Sequence, residues 1–200
     1  MEKVRSVLLR LIAVILLLCL SSQGQAYSGF KGSSAWKYME GRRSNKYAKA
    51  RVEVMSHYFR TKNPTLSGKA AGGYASLVDA ISRKYKLDPF LVSSIIVKES
   101  TVRVKAKSGV AYGLMQVNWR ANGSWIPRVF PTVKSPARLL RSRANIYVGS
   151  YILREAMQRS GGDVDRALDI YRGRNVPSYR ESIHRYYSEQ VGLLKKRLGR

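Results

Sequence analysis

The amino-acid sequence predicts an all-α fold. Apolar residues recur at helical spacing over residues 74–85 and again over residues 183–194, so each segment is predicted to pack one helix face against a core. Between them, Asp88-Pro89 pairs an N-cap acceptor with a proline suited to the first helical position. No segment shows the apolar–polar alternation that is typical of a strand.

The first 26 residues predict a secretory signal. They combine a basic start, an apolar run from Leu11 to Leu20 and a small-x-small ending at Ala26, after which cleavage is expected. An uncleaved anchor is the alternative, but Arg10 interrupts a run that is already shorter than the roughly 20 residues needed to span a bilayer. We therefore expect a protein of the periplasm or cell envelope with no stable membrane span after signal removal.

Residues 27–69 are predicted to form a basic, flexible N-terminal extension, part of it helical. Residues 27–44 have no apolar period and predict a mobile arm, which is either an electrostatic tether or a solvated linker. A helix is expected over residues 45–60, followed by a loop to Gly73. Residues 70–200, which carry the clear helical periods, are predicted to form the folded helical domain.

The remaining helices follow from start signals and breakers. Residues 88–99 are apolar nearly all round and predict a central helix, whereas residues 119–133 predict an irregular segment. Ser135-Pro136 predicts a second helix start of the cap-plus-proline kind. Gly149, inside that helix, predicts the close approach of another backbone, because a mid-helix glycine costs about 1 kcal/mol relative to alanine.

The composition restricts the partners. The chain has 37 Lys and Arg residues against 12 Asp and Glu residues, a formal net charge of +25, which implies a polyanionic partner. For an exported protein the candidates are peptidoglycan, acidic surface polymers and anionic lipid head groups. No cofactor or metal site is expected, because Cys19 lies in the signal and His57 and His184 have no acid at ligand spacing.

Glu99 is the candidate catalytic residue. It follows Ile95 by four residues and Ile96 by three, so a helix places it on the same apolar side. A carboxyl group there is costly to ionise, and a raised pKa is what a general acid for glycosidic cleavage needs. The alternative is an exposed helix-terminal glutamate paired with Lys98 or Arg103, and position alone leaves both open.

Short motifs extend this interpretation along the chain. They comprise Glu99-Ser100, then Ala106, Ser108 and AYGLMQVN over residues 111–118; Asn145-Ile146 with Gly149 and Leu153; and Ala167-Leu168 with Tyr171. In this order, over about residues 74–195, they resemble the soluble lytic transglycosylase family, which implies a lysozyme-like fold.

The resemblance also implies an activity and its residues. Glu99 would be the single general acid and base that cleaves the bond between N-acetylmuramic acid (MurNAc) and N-acetylglucosamine (GlcNAc) and leaves a 1,6-anhydro-MurNAc end. Ser108, Gln116, Asn118 and Tyr171 match substrate-binding positions or stand beside them. Peptidoglycan glycan strands would be the substrate and a secretion or appendage machine a candidate partner, with no specific nucleic acid.

The chain departs from the family pattern at four places, one of which is Asn118, where many members have a residue that leads into proline. The loop after Glu99 is one residue short, Val110 stands where glycine is common, and Arg172 replaces the asparagine after the tyrosine. A hydrolytic lysozyme is a second hypothesis, with Asp163, Asp165 or Asp169 as its second carboxylate. A non-catalytic wall-binding or assembly protein that keeps the fold is a third, and Arg172 favours it.

Overall fold

The computed structural model describes residues 29–199, and the predicted signal lies outside that range. The described chain is mainly helical, which confirms the all-α prediction. Its α-helices are α1 Ser34–Glu40, α2 Ala48–Lys62, α3 Gly68–Tyr85, α4 Pro89–Ser100, α5 Trp119–Asn122, α6 Ile126–Val129, α7 Ser142–Arg159, α8 Val164–Arg172 and α9 Pro177–Arg197. Two short 3-10 helices, Asn45–Tyr47 and Pro136–Leu140, precede α2 and α7.

Helix α4 is the centre of the fold, as its sequence predicts. Asp88 caps it by accepting hydrogen bonds from the backbone N–H groups of Phe90 and Leu91, at 2.8 and 3.4 Å. All residues from Pro89 to Val97 are buried. Helices α2, α3 and α9 pack around α4, so the fold holds its carboxyl end, which carries Glu99, in a fixed position.

The segment over residues 29–44 differs from the predicted mobile arm. It forms helix α1 and buries Phe30, Trp36 and Met39 in the same core as α4. Phe30 and Trp36 each contact the ring of Tyr187 on α9, with centroids 5.4 and 5.8 Å apart. Three large side chains, too few to make a helical period, are enough to anchor this segment.

A buried ion pair also holds this segment. The guanidinium of Arg51, which is 0% exposed, donates to Asp79 of α3 at 2.8 Å and to the backbone carbonyl of Ser44 at 2.8 Å. It donates in addition to the carbonyl of Arg42. Removing one partner of a buried pair leaves an uncompensated charge, so Arg51 ties α2, α3 and the N-terminal segment together.

The loop after α4 contains a small sheet that the sequence did not predict. Strands β1 Lys107–Ser108, β2 Ala111–Tyr112 and β3 Val117–Asn118 pair antiparallel in that order. Gly109 takes the left-handed position of the β1–β2 turn, with φ of +56°. Val110 has no positive φ, so the valine at this position is compatible with the turn.

Two helix starts differ from the prediction. Helix α3 begins at Gly68, capped by the side chain of Ser67, so residues 68–73 are helical and not a loop. Ser135-Pro136 begins a 3-10 helix without a side-chain cap, and α7 starts only at Ser142.

Within residues 29–199, none of the helices is long and apolar enough to cross a membrane.

Candidate active site

Glu99 lies at the carboxyl end of α4 and is half-buried. The hydroxyl of Tyr179, from the first turn of α9, donates a hydrogen bond to Glu99 Oε1 at 2.7 Å. Burial raises the pKa of Glu99 above its ordinary value, while the Tyr179 hydrogen bond and the charges of Arg172 and Lys98 partly lower it again. Such a carboxyl group can hold a proton closer to neutral pH than an exposed glutamate.

Tyr179 is a site residue that sequence reasoning missed. It is 4% exposed, and burial with the nearby Glu99 carboxyl raises the pKa of its phenol well above the ordinary value. The phenol therefore stays protonated and acts as a donor. Tyr179 is separated from Glu99 by 80 residues, and no local spacing in the sequence connects the two.

A cleft of about 610 Å³ opens at Glu99. Its walls come from strands β2 and β3, helices α5, α6 and α7, and the end of α8. Of the residues predicted for the site, those that line it are Glu99, Gln116, Asn118 and Tyr171. Trp125, Tyr151 and Ile152 add aromatic and apolar wall, which suits the faces of sugar rings.

Ser108 does not line this cleft and instead positions Gln116. Its hydroxyl donates to Gln116 Oε1 at 2.6 Å, while Gln116 Nε2 donates to the carbonyl oxygens of Gly113 and Ala106 at 2.9 and 3.2 Å. Gln116 has a φ of +45°, a strained value for a side-chain-bearing residue. Three hydrogen bonds thus fix the side chain of Gln116 at the cleft wall.

Met115, between strands β2 and β3, joins the small sheet to helices α7 and α8. Its backbone N–H donates to Asn145 Oδ1 at 2.7 Å, and its carbonyl accepts from the Tyr171 hydroxyl at 2.8 Å. Its side chain lies against Gly149, where an added Cβ would be only 2.5 Å from Met115 Sδ. The close approach predicted at Gly149 is real, but the neighbour is this side chain and not another backbone.

Two cations and a second carboxylate complete the cleft. Arg172 and Arg159 line it and have no carboxylate ion-pair partner within the described chain, although Arg172 lies 5.7 Å from the centroid of the Tyr179 ring. Glu155 also lines the cleft and pairs with Arg154. Asn118 caps α5 by accepting from the N–H of Ala121 at 3.1 Å.

The three aspartates considered for a hydrolytic mechanism lie elsewhere. Asp163 caps α8, Asp165 accepts from the backbone of Phe30, and Asp169 pairs with Arg180 at 2.6 Å. None of them lines the cleft. Within residues 29–199 there is also no group of three metal-ligating side chains.

The fold and the site define a lysozyme-like class of glycan-cleaving domain. A central buried helix ends in one half-buried glutamate, and a small antiparallel sheet and helix α7 face it across a cleft. The chain belongs to the family described as Transglycosylase SLT domain, whose model matches residues 76–175, half of the chain. Membership implies lytic transglycosylase-type activity on peptidoglycan in general. No solved structure matches the chain.

Proposed function

We propose that the protein is an exported lytic transglycosylase that cleaves the MurNAc–GlcNAc bond of peptidoglycan without water. The single observation that carries this proposal is the environment of Glu99, half-buried in an aromatic-walled cleft with its pKa raised by burial. A general acid with this environment donates a proton to a glycosidic oxygen.

Glu99 serves both steps of the reaction. It first donates its proton to the GlcNAc oxygen as the bond from that oxygen to MurNAc C1 breaks. The resulting carboxylate then accepts the proton of the MurNAc C6 hydroxyl while that oxygen bonds to C1. The product is a 1,6-anhydro-MurNAc end, the proton is returned to Glu99, and no second carboxylate is needed.

Tyr179 supports both protonation states of Glu99. Its 2.7 Å hydrogen bond favours the carboxylate that forms after proton donation, whereas burial favours the neutral acid that starts the reaction. The opposing effects bring the two states of Glu99 closer in free energy than burial alone would. A residue that acts first as acid and then as base benefits from this balance.

The remaining predicted residues have positioning and binding roles in this proposal. Gln116, Asn118 and Tyr171 line the cleft and would contact the glycan, whereas Ser108 acts through Gln116. Arg172 places a cation at the end of the cleft, next to Tyr179, where it can pair with a stem-peptide carboxylate. The predicted signal sequence supports an envelope location, where this substrate lies.

The decisive test compares Glu99→Gln with Glu155→Gln on purified sacculi. We expect Glu99→Gln to abolish release of 1,6-anhydro-muropeptides, detected by mass spectrometry, because glutamine cannot donate or accept the proton. Glu155→Gln changes the other cleft carboxylate and should retain anhydro products. Continued release of anhydro products by Glu99→Gln would refute the assignment.

Glu155 gives a specific reason to test a hydrolytic lysozyme as the second candidate. A hydrolase of this type uses a second carboxylate to activate water or form a covalent intermediate, and Glu155 is the cleft carboxylate available besides Glu99 among the described residues. Hydrolysis leaves ends that borohydride reduces, whereas anhydro ends are not reduced. Reducible products that vanish with Glu155→Gln would favour the lysozyme.

A further inference from the structure

A row of cations and tyrosines runs along helix α7; its cations lie outside the catalytic cleft, while its Tyr151 also forms part of the cleft wall. We name it the α7 ladder and define it by Arg143, Tyr147, Lys84, Tyr85, Arg154 and Tyr151. Four of these residues, at positions 143, 147, 151 and 154 of α7, are spaced by four, four and three and therefore share one helix face. The other two come from the carboxyl end of α3.

Each cation of the α7 ladder lies over a tyrosine ring. Arg143 Cζ is 5.8 Å from the centroid of Tyr147, and Lys84 Nζ is 5.1 Å from the same ring. Arg154 Cζ is 4.3 Å from the centroid of Tyr151 and 5.5 Å from that of Tyr85. Cation–π contacts of this kind fix the position of otherwise mobile side chains.

The surface around the α7 ladder is also basic. A cleft of about 600 Å³ at one end is lined by Arg43, Lys84, Lys86 and Arg154, and one of about 560 Å³ at the other end by Lys84, Arg138, Arg141 and Arg143. Asp88 is the one carboxylate among the described lining residues of both clefts, and Arg43 and Tyr187 already bind it. Arg154 is paired with Glu155, whereas Lys84 and Arg143 form no ion pair within the described chain. The converging charges that remain unpaired repel one another unless an anion lies between them.

The shape of this surface favours a polymer over a membrane. Residues 143 and 154 are 11 positions apart on α7, about 16 Å along the helix, and a concave cleft lies at each end. A helix that binds a bilayer surface presents exposed apolar side chains to the lipid. The exposed large apolar residues of the described chain are Val110 and Val129, neither of which belongs to the α7 ladder.

The tyrosine rings disfavour nucleic acid. Binding of single-stranded nucleic acid uses open aromatic faces on which bases stack. Here the rings are half-buried, pack edge to face at 6.2 Å between Tyr85 and Tyr147 and 6.0 Å between Tyr85 and Tyr151, and have cations over them. The α7 ladder thus presents positive charge but no open aromatic faces on which bases could stack.

We propose that the α7 ladder binds a linear, non-aromatic polyanion whose units are joined by phosphodiesters, separately from the glycan in the catalytic cleft. Each unit of such a chain carries one permanent negative charge, so one polymer can contact Arg143, Lys84 and Arg154 in turn. The guanidinium groups of Arg143 and Arg154 match the geometry of phosphate oxygens. This proposal does not depend on Glu99 chemistry.

The test measures binding of synthetic poly(glycerol phosphate) by the full chain at low salt. Lys84→Gln combined with Arg143→Gln should weaken binding about tenfold, since two exposed charge contacts each contribute about threefold. Neither residue forms an ion pair within the described chain, and neither lines the catalytic cleft, so muropeptide release should be unchanged. The charge-conserving pair Lys84→Arg and Arg143→Lys should restore binding.

The matched control is Arg60→Gln combined with Lys69→Gln. Both residues are exposed, and the two substitutions remove the same charge as the Lys84 and Arg143 pair. Lys69 lies 15 residues from Lys84 on α3, about 22 Å away. An equal loss of affinity in this control would show dependence on net charge alone and overturn the proposal. Tighter, ladder-dependent binding of anionic vesicles, a single-stranded oligonucleotide or polyglutamate would overturn it as well.

Discussion

The Tyr179→Phe substitution isolates the hydrogen bond at Glu99. It removes one oxygen atom and leaves the ring packed in the core. Tyr179 is 4% exposed, so water cannot readily replace the lost donor. A hydrogen bond to a charged acceptor contributes about 1.5–3 kcal/mol, which corresponds to roughly a 10- to 100-fold change in rate.

The loss should appear in both kcat and its pH dependence. Without the donor, the carboxylate form of Glu99 is less stable, so the pKa of Glu99 rises further above its ordinary value and Glu99 becomes a weaker acid. We expect kcat to fall by about 10- to 100-fold. The alkaline limb of the pH–rate profile, where Glu99 loses its proton, should move to higher pH.

Release of muropeptides from sacculi over a pH series measures both effects. Tyr171→Phe is the matched control, because Tyr171 lines the same cleft but donates to the carbonyl of Met115 and not to Glu99. That variant should bind substrate less well and keep the alkaline limb where it is. A Tyr179→Phe profile with an unshifted limb, or one shifted to lower pH, would refute the reasoning.

Three further outcomes follow from the same contacts. Arg172→Asn should also move the alkaline limb to higher pH, because the Arg172 charge lowers the pKa of Glu99; a matched pH series with Arg174→Asn is the control. Glu99→Gln should raise the melting temperature at pH 8 more than at pH 4. Because the pKa of Glu99 is raised in the folded state, its contribution to stability is full below the pKa of the unfolded state and is lost as pH rises through the pKa of the folded state. The substitution removes that loss, which is present at pH 8 and absent at pH 4. Gly149→Ala should destabilise the fold by about 1–2 kcal/mol in urea unfolding, since overpacking against Met115 exceeds the gain in helix propensity; a stability equal to wild type would contradict that packing.

The helical core was predictable because its signals are local. The cap at Asp88 and the apolar run after it specify α4 and its burial within one stretch of chain. The family resemblance could be recognised for the same reason, since each of its motifs is short and local, and the family match over residues 76–175 confirms it. The catalytic and binding roles of the individual residues stay predictions.

The parts that were not predicted depend on long-range contacts. The N-terminal segment folds because Phe30 and Trp36 reach Tyr187 and because Arg51 binds its carbonyl oxygens, and neither contact leaves a period in the sequence. Tyr179 reaches Glu99 because α9 packs on α4. The sheet has two-residue strands, which are too short to show alternation.

The contact between Met115 and Gly149 has a consequence for related sequences. The side chain of Met115 occupies the space that a side chain at position 149 would need, so positions 115 and 149 are not free to change independently. A relative with a larger residue at position 149 should carry a smaller one at position 115, and each single change should be rescued by the other. The backbone of Met115 also forms hydrogen bonds with Asn145 and Tyr171. Substitutions at positions 115 and 149 therefore have to preserve these bonds if Gln116 is to stay at the cleft wall.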